Sequence, residues 1–229
     1  MLNTYYKNRL SPTQQLAYED LCRGIRSRSR EIRVRYVDGL PNVITAVNYD
    51  HPEFFYVNWL DRISYTVFLT QVCVYLNYIY NEAEITDINN RMKAIAKNIV
   101  GISNYGKALS IHDWFVKNIK YDHAGLGQAI RSPGMFSAAG PLTSQKAVCE
   151  GISKLACFIM REKGIDSTII TGIAHDGVPH AWNLLEVDEK KLHADITYDI
   201  GISTTHTIQH KYFLLSQDEI ARDRTINYF

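Results

Sequence analysis

Between Cys149 and Thr197 the apolar pattern changes its period, and this change narrows the possible folds. Ile152, Leu155, Ala156, Ile159 and Met160 repeat at three and four, the spacing of one helix face. Lys163-Gly164 supplies a C-terminal stop. Ser167 to Ile173 then reads as a strand, and 180–187 with 190–197 as a hairpin around Asp188-Glu189. A helix followed by three sequential strands predicts an α+β half with a mainly antiparallel sheet.

The hairpin carries chemistry. With a two-residue turn, Val187 pairs with Lys190 and His180 falls opposite Thr197. Asp195 is then the diagonal neighbour of His180 on the same face, about 7–8 Å away between Cβ atoms, so a carboxylate can meet an imidazole. Ala181, Leu185, Val187, Leu192, Ala194 and Ile196 form the opposite, apolar face, with Asn183 the exception. A one-residue register slip would separate the pair. Cys149 stands at the predicted helix start, where backbone N–H groups and the dipole favour a thiolate and can hold an oxyanion. Gly151 leaves room for backbone to approach a substrate. Thiol, imidazole and carboxylate, in that order, are the parts of an activated cysteine nucleophile.

Elsewhere the pattern reads as follows. Ser11-Pro12-Thr13-Gln14 is a capping box opening a helix to about Arg26. Glu31 to Val37 reads as a strand, 42–47 as a short helix or turn, and Ser64 to Thr70 and Val72 to Tyr80 as strands. Helices follow from about Thr86 and around Leu109 to Ile119. Residues 121–146 form the longest irregular stretch and lead straight into Cys149, the position of a cleft wall or lid. The expected organisation is an N-terminal helix/strand extension over 1–103 and a core over 104–229, together one compact unit.

The 229 residues are 46% hydrophobic and 21% charged, ordinary for a globular chain, and the net charge of +1 excludes nucleic-acid binding by bulk charge. The basic run Arg23 to Arg33 reads as a solvated helix end. No stretch is long and apolar enough to span a bilayer, and the start has no apolar signal region, which points to the cytosol if Met1 is native and to export if the start was trimmed. Cys22, Cys73 and Cys157 read as buried small hydrophobes, with no disulfide scaffold. His175 and Asp176 read as a solvated loop and His112 as a satisfied core histidine. A zinc set of Cys149, Cys157, His175 and His180 lacks a short-knuckle spacing, and no phosphate-binding glycine motif occurs, so no metal or cofactor is expected.

The runs Ala147-Val148-Cys149-Glu150-Gly151, Thr171-Gly172, His180-Ala181-Trp182-Asn183 and His193-Ala194-Asp195-Ile196-Thr197 resemble the transglutaminase-like superfamily of cysteine enzymes, in its bacterial form. Ile111-His112-Asp113-Trp114, Asn118 to Asp122 and Tyr212 to Ser216 resemble flanking segments, so the likeness covers about 104–217. It implies a papain-like α+β core with Cys149 at a helix N-terminus packed on an antiparallel sheet. It also implies Cys149 as nucleophile, His180 as general base and acid, and Asp195 as the orienting carboxylate. Ile152 stands where the family often has an aromatic, and Glu189 where the turn usually has glycine. Gln145, Trp182 and His193 are the candidates for the oxyanion or substrate side. The expected activity is acyl transfer or hydrolysis on a protein or peptide amide, with a non-enzymatic peptide- or protein-binding module as the alternative.

Overall fold

The computed structural model describes residues 2–61 and 63–227. Its axis is α7 (Cys149–Glu162), in which every residue from Gly151 to Met160 is buried. Antiparallel β6 (Ser167–Ala174), β7 (Pro179–Val187), β8 (Lys190–Ala194) and β9 (Arg224–Ile226), in the order β8-β7-β6-β9, cover one side. Helices α3 (Glu82–Asn98) and α4 (Asn104–Asn118) also pack against α7. Ahead of them lie α1 (Pro12–Arg26), β1 (Glu31–Arg35), α2 (Leu40–Asp50), β2 (Ser64–Val67) and β3 (Gln71–Tyr75). These three strands form a separate antiparallel sheet in the order β1-β3-β2. The expected α+β class is the architecture seen.

Local chemistry explains several boundaries. The Ser11 side chain accepts from the Gln14 N–H, and Pro12 opens α1, as the capping box predicts. The predicted register holds, with Val187 opposite Lys190. Asp188 and Glu189 both take the left-handed conformation (φ 49° and 64°), the backbone a two-residue turn requires without glycine. The expected strand 190–197 stops at Ala194, because the Asp195 carboxylate accepts the Tyr198 N–H and starts α8 (Ile196–Ile202).

The stretch 121–146 is less irregular than its composition suggests. It holds β4 (Lys120–Tyr121), α5 (His123–Leu126), a 3-10 turn (Pro133–Phe136) and α6 (Gly140–Ser144). β5 (Lys146–Ala147) then pairs parallel with β4. Gly151 serves this segment and not a substrate, for a Cβ there would lie 2.4 Å from the Met135 carbonyl. A final short helix, α9 (Gln217–Ile220), precedes β9.

One apolar cluster runs from Tyr6 to Ile196 and crosses residue 103. Buried polar links reinforce it. Asp50, 1% exposed, accepts from the Tyr6 N–H (3.0 Å), the Lys7 N–H (2.8 Å) and the Tyr18 hydroxyl (3.2 Å). Arg161 of α7 donates to the Asp50 carbonyl and to that of Ser167. Lys154, buried in α7, donates to Asn48 Oδ1, the Phe136 carbonyl and Glu150 Oε1, which offsets its desolvation. Asp50→Ala would strand the donors, so stability should fall by about 3 kcal/mol in urea denaturation. An unchanged midpoint would show that this carboxylate does not hold the N-terminus.

Candidate active site

Cys149 is the first residue of α7, and the N-cap Val148 offers no side-chain acceptor. The opening amides therefore face the thiol's surroundings uncapped. The thiol is partly exposed, unlike Cys22, Cys73 and Cys157, which are buried. His180, at the start of β7, and Tyr121, at the end of β4, both lie close enough to Cys149 for the thiol to act on their titration. Tyr49 of α2 and Cys149 both pack against the cluster of Cys157, Ile169 and Ala181.

The imidazole is held from behind. His180 Nε2 is 2.9 Å from Asp195 Oδ2, and this leaves the other ring nitrogen for the thiol. The Tyr198 ring meets His180 edge-on at 5.1 Å. Burial by itself would lower the His180 pKa, but the bonds to Asp195 and Cys149 outweigh it and raise it to about 9. An imidazolium is the charge state of His180 that this favours. Burial, then Cys149, pushes the Tyr121 phenol up to about 12, so it remains an O–H donor at neutral pH.

Sequence reasoning missed Arg224. Its Nη2 lies 3.0 Å and its Nε 3.3 Å from Asp195 Oδ2, and both side chains are fully buried. The guanidinium stacks 4.0 Å over Tyr198 and 4.8 Å over Tyr212. β9 brings it there by pairing with β6, and Gly172 permits the pairing, since a Cβ would sit 2.1 Å from the Thr225 carbonyl. The only local hint was a lone arginine in a short C-terminal strand.

The other candidates fall elsewhere. Gln145 takes a left-handed turn (φ 54°) and lines a separate hollow with Arg91, Trp114 and Leu142, so it is not placed as an oxyanion donor. Trp182 is fully buried and donates its indole N–H to His193 Nδ1 (2.9 Å). His193 Nε2 in turn meets Gln217 Oε1 (3.0 Å), and burial holds its pKa down. Trp182 stacks on His180 at 6.1 Å, and both Trp182 and His193 are buried. Asn183, the polar exception on the apolar face, donates to the Ser153 carbonyl and ties β7 to α7. His175 lies beside Tyr198 at the rim, and Cys157 packs in the core.

Residues 93–195 match the model of the transglutaminase-like superfamily, a span that contains Cys149 and His180 and ends on Asp195. The chain carries a transglutaminase-like domain. Among solved structures, a TGase is similar at 16% identity over 59% of this chain and 44% of that one, with a TM-score of 0.44. A proposed cysteine protease from Cytophaga hutchinsonii is 15% identical over 59% of this chain and 61% of that one, at a TM-score of 0.38. The chain thus spans less than two thirds of either structure. No curated protein is significantly similar to it. The matched span opens inside α3, so the transglutaminase-like domain includes the end of that helix.

The raised His180 pKa gives a signed prediction. The folded value, about 9, exceeds the ordinary 6.5. The stabilisation is therefore complete below about pH 6.5 and is lost as pH rises through 9. NMR titration of the imidazole should show a midpoint near 9. In Arg224→Met, Asp195 would serve His180 without a competing cation, and the midpoint should move higher by about half a unit or more. A midpoint unchanged by the substitution would remove Arg224 from the charge balance of the site.

Proposed function

We propose that this transglutaminase-like domain is a cysteine enzyme that acts on a protein or peptide amide through Cys149, His180 and Asp195. The observation that carries the reading is the position of His180, which bridges the Asp195 carboxylate and a partly exposed thiol at an uncapped helix start. The Cys149 thiolate adds to the amide carbonyl. The oxyanion is held by α7 opening amides, with the Tyr121 hydroxyl as the side-chain donor within reach. His180 passes its proton to the leaving nitrogen, the C–N bond breaks and a thioester remains. Water or a primary amine then attacks the thioester, giving its proton to His180 and returning the sulfur as thiolate. Asp195 holds the imidazole's orientation throughout. Tyr49, Tyr121 and Tyr198 flank the catalytic groups and suit a peptide's backbone and side chains better than a compact polar metabolite.

Mass spectrometry tests the reading. The intact protein and its Cys149→Ala variant are incubated with a glutamine-containing protein, with and without a primary amine. An amine-sized adduct means transamidation, a loss of ammonia means deamidation, and shorter fragments mean proteolysis. Each product should fall at least ~10³-fold in Cys149→Ala while the fold is kept. Iodoacetamide should label Cys149 faster than free cysteine at neutral pH. A thiol that reacts no faster, together with no product, would leave a peptide-binding module.

A further inference from the structure

One turn along α8 from Asp195, a second cluster joins α4, α8 and the segment 203–212. His112 of α4 is fully buried, and both of its ring nitrogens face carboxylates: Nε2 lies 3.0 Å from Asp199 Oδ2, and Nδ1 lies 3.2 Å from Asp113 Oδ1. His210 brings its Nε2 to 2.7 Å from the same Asp113 oxygen. The two imidazole rings lie 4.8 Å apart between centroids and are tilted by 33°. One potential ligand atom from each of His112, Asp113 and His210 lies within 4.8 Å of the others.

The hydrogen bonds of this cluster leave the side of Asp113 between the two imidazoles without a lysine or arginine partner among the described residues. A neutral His112 donates one proton and can satisfy one carboxylate. Asp199 also accepts the Tyr212 N–H on both oxygens at 3.1 Å, but among the described residues no lysine or arginine pairs with Asp113 or Asp199. Asp113 Oδ1 is instead faced by two imidazole nitrogens, His112 Nδ1 at 3.2 Å and His210 Nε2 at 2.7 Å. A single divalent cation would be met there by two nitrogens and one carboxylate oxygen that already lie together.

We propose that His112 Nδ1, Asp113 and His210 Nε2 bind one divalent ion of the zinc class. Two imidazole nitrogens and a carboxylate oxygen are a zinc donor set, with room on the exposed His210 side for water as the remaining ligand. Asp199 plays the outer part: it takes the Nε2 proton of His112 and aims the Nδ1 lone pair at the ion. The ion would pin 203–212 to α4, and its binding can be tested apart from the chemistry proposed at Cys149. The site has no short spacing motif, because His210 lies far from His112 in sequence.

Chelator-treated full-length protein titrated with Zn²⁺ alone, by calorimetry and thermal melting, tests this. One equivalent should bind, and Tm should rise by several degrees. Cys149→Ala should bind equally, which separates this site from the thiol. His210→Ala, at an exposed position, and the near-isosteric Asp113→Asn should each weaken binding at least ~10-fold, while their metal-free melting shows that they fold. Absence of saturable binding, or binding that survives His210→Ala but is lost in Cys149→Ala, would overturn the assignment and leave the cluster a hydrogen-bonded network.

Discussion

A single buried carboxylate organises the catalytic half. Asp195 sits where β8 ends and α8 begins, and it has no solvent to stabilise its charge. Its Oδ1 accepts the Tyr198 N–H, while Oδ2 receives His180 and Arg224. Its own N–H donates to the Tyr212 carbonyl. An isolated carboxylate could not remain ionised here. With these partners the charge is held, and each partner is fixed in return. The arrangement makes the last strand, β9, part of the site although it lies outside the matched family span. Arg224 also moderates the pair, because a carboxylate shared with a guanidinium gives less of its field to the imidazole.

The second constraint is the contrast along α7. Its middle is buried on all sides, as expected of a helix enclosed between a sheet and other helices, yet its first turn is uncapped and reaches the surface. The buried middle fixes the axis, so the bare end points in one direction. Lys154 and Arg161 anchor that axis to Asn48 and Asp50 of α2, and the same helix supplies Tyr49 beside the thiol. The N-terminal extension is therefore a wall of the candidate site as well as a neighbour of it. This explains why the apolar cluster does not divide at the boundary expected after residue 103.

Local pattern was enough to read the α7 helix, the β7–β8 hairpin and its register, since each rests on contacts close in sequence. The approach of His180 to Asp195 followed from that register. What stayed hidden depends on non-local packing. Arg224 reaches Asp195 only after β9 has paired with β6, and a three-residue strand carries little periodic signal. Gln145 seemed a donor because of its proximity in sequence to Cys149, but the left-handed turn before β5 sends it to another hollow. Trp182 and His193 share the face of His180 but are buried there, where the indole N–H donates to the imidazole. Gly151 is small for the sake of the Met135 carbonyl, a contact that a reading of the helix alone cannot see.

Helix α8 connects the two polar centres. With seven residues it is too short to be stable by propensity, and its ends are set by side chains. Asp195 caps its start and serves His180, and Asp199, one turn later, holds His112 and the Tyr212 N–H. The Tyr212 backbone binds both carboxylate residues, since its carbonyl takes the Asp195 N–H. A change in the charge around Asp199 therefore acts on the same backbone that positions Asp195. A divalent ion at His112, Asp113 and His210 would hold the segment 203–212 in place. Tyr212, the residue where that segment rejoins the core, would then stay seated against Asp195. By this route the proposed ion would set how firmly the proposed triad is assembled, without touching the thiol or the imidazole.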